Sequence, residues 1–295
     1  MSSVSSSSFY SNYYGHKANH LEKVIPFLRG RSDGLVFLAG DSSNDNKHWL
    51  KDETLVFAVN GYEHILDPPK SVPDIAYHLN LCLEERKIKY CAVNCAVEEA
   101  TIGSKGQHEL SAPQDQLIQQ HISSDDILIV SIGGNDIALK PTASTIWNLL
   151  KLTYLNTTST IDNYPTWSLG MTYFIDMFSD NVRDYVVKLL NGKKPKKVVI
   201  CMIYYPDETE SGNSWADKTL GYLGYNSNPV KLQLIIKKIF ELATSKIKID
   251  GVDVVAFPLF EVLDGKMSSD YVQRVEPSST GGRKIANSLV DVLFS

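Results

Sequence analysis

Two stretches of the sequence end in polar side chains at the tips of buried strand-like runs. The first is Leu35-Val-Phe-Leu-Ala-Gly-Asp-Ser42. Its five apolar residues, Leu35 to Ala39, suit a short strand buried on both faces. The run stops at Gly40-Asp41-Ser42, where glycine permits a tight exit and Asp and Ser favour turns and helix N-caps. A serine at the carboxyl end of a buried strand stands where open α/β sheets place their ligands, so the Ser42 hydroxyl is a candidate nucleophile. The plain alternative is a strand ending in a capped turn. The second stretch, Ile127-Leu-Ile-Val-Ser-Ile-Gly-Gly-Asn-Asp136, is another buried strand that runs into glycines and then Asn135. A side-chain amide there can donate a hydrogen bond to a developing oxyanion; its plain alternative is an Asx-capped turn. Together the two ends put a hydroxyl and an amide donor on one edge of a sheet.

The elements that must position them alternate along the chain. Helical patterns cover Ala18–Leu28, Pro73–Glu85, Pro113–Ile122, Pro141–Leu155, Leu169–Leu190, Val230–Ile247 and Thr280–Leu293. Further strand-like runs are Ile88–Val97, Val198–Tyr204 and Val252–Phe257. Continuous apolar strands alternating with helices predict a five-stranded, mainly parallel sheet with helices on both faces. Two long connections, Thr157–Ser168 and Pro206–Pro229, are expected to overhang the active edge as lids or walls. The aromatics Tyr204, Tyr205, Trp215, Tyr222 and Tyr225 cluster at the second of these, either as a binding wall or as packing for the loop.

Composition narrows the function classes. The chain has 295 residues, 43% of them hydrophobic and 21% charged, with a net charge of -5. No basic stripe points to nucleic acid, and no apolar run approaches the roughly 18 residues of a membrane span. The serine-rich start lacks an apolar core, so residues 1–15 are read as a disordered tail and 16–295 as one domain. The four cysteines, Cys82, Cys91, Cys95 and Cys201, lack the paired spacing of a zinc site. Buried, reduced thiols in a cytoplasmic protein are expected, with no metal and no cofactor.

Phe37-Leu-Ala-Gly-Asp-Ser42 and Ile132-Gly-Gly-Asn-Asp136 resemble blocks I and III of the SGNH (GDSL-type) hydrolases, and the resemblance runs from about Leu35 to Leu293. It implies a three-layer flavodoxin-like fold and a serine esterase or lipase-like activity on a small-molecule ester. The serine attacks the carbonyl, and the oxyanion is held by the serine N–H, a glycine N–H and the asparagine amide. Ser42, Asn135 and the residue at the glycine position take these roles here, and Asp41 and Gly134 shape the turns. The chain departs from the family twice. The block II glycine position reads Glu99 within Asn94-Cys-Ala-Val-Glu-Glu-Ala-Thr101, unless Gly103 is the true equivalent. A backbone N–H survives that exchange, but a carboxylate near an oxyanion is unfavourable unless it points away or is protonated. The C-terminal Asp-x-x-His-Pro-Ser block reads Gln273-Arg-Val-Glu-Pro-Ser278, so Glu276 stands where the histidine belongs. All seven histidines precede residue 122.

Three answers to the missing base follow. Glu276 itself serves, its pKa raised by burial and a proton shared with Asp270. Alternatively His48 serves, although a helix after the serine would aim it elsewhere. Or hydrolysis is lost, and the pocket binds an ester, glycan or lipid headgroup without cleaving it. A third class, an interaction protein with remnant motifs, predicts a collapsed pocket over Ser42. Lys47 is expected to pair with Glu98 or Glu99, or to be a solvated surface lysine. Gln114 and Asp115 are expected to cap or anchor a helix.

Overall fold

Five apolar runs pair into one sheet: β1 (Gly34–Gly40), β2 (Tyr90–Asn94), β3 (Ile127–Ser131), β4 (Lys197–Met202) and β5 (Val254–Pro258). The strand order is β2-β1-β3-β4-β5 and every pairing is parallel. This is the flavodoxin-like order, in which the chain turns from one side of β1 to the other. The register pairs Gly40 with Ser131 and Ser131 with Cys201. All carboxyl ends therefore share one edge, and the switch point lies between β1 and β3.

The computed structural model describes residues 3–103, 110 and 112–295. Met1, Ser2 and His108 lie outside the described residues. Seven longer helices cover the sheet: α1 (Ala18–Arg29), α2 (Ile75–Glu85), α3 (Pro113–His121), α4 (Ala143–Tyr154), α5 (Val182–Leu190), α6 (Pro229–Leu242) and α7 (Ser279–Leu293). Alternate residues of each strand point to opposite faces. Val36, Leu38, Ile127, Ile129 and Val199 pack against α2 and α7. Leu35, Phe37, Leu128, Val130 and Ile200 pack with α1, α3, α5 and α6. The three-layer α/β architecture is thus the one expected. All four cysteines are buried. No helix among the described residues is long and apolar enough to cross a membrane.

Two expectations are corrected here. The serine-rich start is not a loose tail over its described part. Val4–Ser5 pairs in parallel with Leu66–Asp67, and a short helix follows at Ser6–Tyr10. Val4 and Phe9 are buried, and the Phe9 ring stacks on His16 at 3.9 Å. Two apolar anchors suffice because serine hydroxyls meet the local polar needs, as when Ser5 caps the helix through Ser8 N. The expected long helix from Leu169 to Leu190 is interrupted. A helix at Met171–Asp176 passes through a π turn, Met177–Asn181, before α5. The turn seats Phe178 against the end of β3, where a Cβ on Gly133 would lie 2.5 Å from its ring.

Candidate active site

The two strand ends are laced together at the switch point. Gly40 has φ +115°, and a Cβ there would lie 1.8 Å from the Ser131 carbonyl oxygen. Glycine is what lets β1 leave the sheet so close to β3. Asp41 accepts from Ser43 N at 3.0 Å, Ser43 Oγ at 2.6 Å and Gly133 N at 3.1 Å. One carboxylate thus fixes the turn after β1 and the turn after β3, with Ser42 between them. Asn135 opens the short helix Gly134–Ala138. It donates one amide N–H to the Ala100 carbonyl at 3.0 Å, which leaves its second donor free to face a substrate.

The loop after β2 completes this half of the site. Glu99 has φ +59°, the left-handed backbone that a glycine supplies without cost. Of Glu99 and Gly103, only Glu99 has this conformation. Its carboxylate points away from the cavity, accepting from Tyr13 Oη at 2.9 Å and pairing with Lys140 Nζ at 2.8 Å. These contacts hold its pKa below the usual carboxylate value. Gly103 N meets Asp136 Oδ1 at 3.4 Å, and Ile102 N meets Asp136 Oδ2 at 2.8 Å. The N–H groups of Ser42 and Glu99 make no hydrogen bond among the described residues.

The other half comes from the final loop. Tyr271–Val272 and Glu276–Pro277 form a small antiparallel hairpin, with Gln273 and Arg274 both at positive φ in its turn. The buried Arg274 guanidinium holds that turn, donating to Asp207 O, Asp217 Oδ1 and Asn226 Oδ1 at 2.9 Å each. Gln273 Oε1 accepts from Trp215 N at 3.1 Å, tying the hairpin to the loop after β4. Asn46, four residues past the serine, clamps hairpin to turn. Its Nδ2 donates to Pro277 O at 2.9 Å and its Oδ1 accepts from Ile75 N at 3.1 Å. The result is a buried Glu276 whose carboxyl lines the same cavity as Ser42, with the Ser42 hydroxyl near enough to draw its pKa down somewhat. Replacing Asn46 with alanine leaves a carbonyl and an amide buried without partners. We expect Asn46→Ala to cost about 1–3 kcal/mol in urea unfolding, with the urea dependence itself unchanged.

The acid beside Glu276 is not the one expected. Asp270 Oδ2 pairs with Lys284 Nζ at 2.7 Å, so its charge is compensated on α7. The acid that bears most on Glu276 is Glu98, with Asp41 and Asp45 contributing. Glu98 accepts from Trp49 Nε1 at 3.3 Å through Oε1. Its Oε2 and Glu276 Oε2 are both buried without a partner among the described residues. Lys47 is fully buried in an ion pair with Asp45, which excludes the solvated lysine. It faces Glu98 electrostatically, while Glu99 takes Lys140 instead. Among the described residues Lys47 is the sole buried ammonium, against Asp41, Asp45, Glu98 and Glu276. Burial first, and then the charge of Asp45, pushes Glu98 up to about 8. Burial first, and then Glu98, pushes Glu276 well above the ordinary range. His48 packs edge-on against Tyr13 and Trp49 and does not line the cavity. Gln114 anchors the N-terminal segment through His16 O at 2.8 Å, and Asp115 accepts from Tyr185 Oη at 3.0 Å.

Ser42, Asn135 and Glu276 line one cavity of about 900 Å³, its mouth included. Gly134 and Asp41 also border it. The loop from Pro206 to Pro229 supplies part of its wall, through Pro206, Trp215 and Leu220. Among the aromatics of that loop, Tyr204 and Trp215 face the cavity, Tyr205 stacks on Phe260 and Tyr222 is exposed. The role of Glu98 escaped the sequence reading. Its one signal was a pair of adjacent acids, Glu98-Glu99, at a position where the related block carries glycine.

No family model matches the chain, and no curated protein matches it. Solved structures do. A lipase from a goat rumen metagenome is 12% identical, with 87% of this chain and 96% of that one covered at a TM-score of 0.48. The carbohydrate acetylesterase Est24 of Sinorhizobium meliloti is 10% identical over 88% and 97% of the two chains, at 0.41. The aryl esterase of M. smegmatis is 12% identical over 88% and 98%, at 0.40.

Proposed function

We propose that the protein is a serine esterase that uses a buried glutamate in place of histidine. The observation that carries this reading is the convergence of Ser42, the buried Glu276 and Asn135 on one cavity. Ionised Glu276 takes the Ser42 proton as Oγ attacks the ester carbonyl. The developing oxyanion meets the N–H groups of Ser42 and Glu99 and the free amide donor of Asn135. Protonated Glu276 then returns its proton to the leaving alcohol. Water hydrolyses the acyl-serine by the same route, with Glu276 again as base.

The low polarity around Glu276 makes it a stronger base than an exposed carboxylate, at the cost of a smaller ionised fraction at neutral pH. The test uses the wild-type protein with p-nitrophenyl butyrate and with diethyl p-nitrophenyl phosphate. We expect slow turnover of the first. The second should inactivate stoichiometrically, with the diethylphosphoryl adduct mapped by mass spectrometry to Ser42. Saturable ester binding with no turnover and no adduct would replace this reading by that of a non-catalytic binding protein.

A further inference from the structure

Apart from the strand-end groups, the cavity is lined almost wholly by apolar side chains. Leu232, Ile235, Ile236 and Ile239 of α6 all line it. Their spacing of i, i+3, i+4 and i+7 is a single helical stripe. From first to last it runs about 10 Å along the helix axis. Opposite stand Leu149 of α4, Phe174 and Met202. These residues are all buried, between 0% and 6% exposed, yet they surround empty space. Protein cores ordinarily close such gaps, because an unfilled apolar void costs stability.

Beyond the strand ends the wall offers two polar side-chain atoms. The Tyr204 hydroxyl is spent on Val275 O at 2.6 Å. The Trp215 indole N–H has no partner among the described residues. A sugar ring carries several hydroxyls, and burying them here would leave most without partners, at a cost for each. A hydrocarbon chain has no such requirement.

Resting on the esterase reading, we infer that the preferred substrate carries a medium-length aliphatic acyl chain, which lies along α6 in the apolar part of the cavity. The acyl rather than the alcohol group belongs there because of the order of the steps. The alcohol must diffuse away while the acyl group is still bonded to Ser42 Oγ, and a recess walled by buried side chains favours the group that stays. The stripe of about 10 Å accommodates roughly eight methylenes.

The experiment is a series of p-nitrophenyl esters with acetyl, butyryl, octanoyl and palmitoyl groups. Each added methylene buried in the recess raises kcat/KM by about fourfold, so the octanoyl ester should exceed the acetyl ester by well over a hundredfold and the palmitoyl ester should fall back. Ile236→Trp fills the recess, and the octanoyl-to-acetyl ratio should drop at least fiftyfold. Ile239→Trp, about one turn along the same stripe, should lower the same ratio, and thermal melting shows which of the two variants folds. A wild-type preference for acetyl, with turnover and the Ser42 adduct intact, overturns the acyl-chain inference and leaves the esterase standing. Absence of both turnover and adduct overturns the esterase and this inference with it.

Discussion

Ser42→Ala should lower kcat for a p-nitrophenyl acyl ester by about a thousandfold or more and remove the organophosphate adduct altogether. The size follows from what the residue supplies. Its oxygen forms the covalent intermediate, and the residual rate can come only from the oxyanion donors acting on water. The substitution removes one oxygen from a site whose scaffolding lies elsewhere, in Asp41, Ser43, Gly133 and Asn46. The fold should therefore persist, which circular dichroism and an unchanged unfolding slope would establish. Loss of the Ser42 hydroxyl also takes away an interaction that holds the Glu276 pKa down, so Glu276 in the variant should stay protonated to higher pH. Retention of a tenth or more of the activity would move the nucleophile off Ser42. Ser43 is the neighbouring hydroxyl, but its Oγ is committed to Asp41 at 2.6 Å.

Much of this arrangement could be read before any coordinates. A strand in the middle of a parallel sheet is covered on both sides, so it appears as an uninterrupted apolar run; Leu35 to Ala39 and Ile127 to Val130 are of that kind. Turn chemistry is local as well, which is why Gly40-Asp41-Ser42 and Gly133-Gly134-Asn135 identified both strand ends. Interactions between distant segments leave no such period. Nothing near Glu276 in the chain announces Glu98, and nothing in Asp45-Asn46-Lys47 announces that other segments would bury the pair completely. Asp270 was the obvious partner for Glu276 by proximity along the chain. The helix that follows it supplied Lys284 instead, fourteen residues on, and neutralised it there. The N-terminal segment was misread for a related reason. Its composition is that of a disordered region, yet Val4 and Phe9 find buried places on a surface formed by other segments.

The exchange at Glu99 follows the same logic. Glu99 holds the left-handed conformation that glycine favours, at φ +59°. The strain is of order 1–2 kcal/mol and is offset by two contacts, to Tyr13 and Lys140, that also draw the carboxylate away from the oxyanion position. Its neighbour Glu98 turns inward. The Glu99 carboxylate is thus held away from the cavity, while the buried Glu98 bears on Glu276. Glu276 is thus pushed up by a second carboxyl group, Glu98, rather than by Asp270.

That coupling sets the expected behaviour of the last two variants. Glu276→Gln keeps the shape, but it cannot take a proton. Its kcat should fall by about a hundredfold to ten-thousandfold, with little change in KM for a short ester. In the wild type, kcat should rise with pH as Glu276 ionises, along a limb displaced well above the ordinary carboxylate range by burial and by Glu98. A negative neighbour disfavours ionisation, so Glu98→Gln should move that limb to lower pH and raise activity on its acidic side. The pair titrates as a unit, and the limb reports a macroscopic constant. Stability carries the opposite sign. A carboxyl whose folded pKa is raised holds its proton in the native state after the unfolded chain has lost it. Its contribution is therefore complete below the unfolded value of about 4.3 and is lost as pH rises through the folded one; for Glu98 that loss runs up to about 8. Glu98→Gln should accordingly melt higher than the wild type at pH 8 and show little advantage at pH 4. A pH–rate limb that stays in place in Glu98→Gln, together with a melting difference that does not grow with pH, would show that the two carboxyls are independent and that Glu276 is not the group whose ionisation limits the reaction.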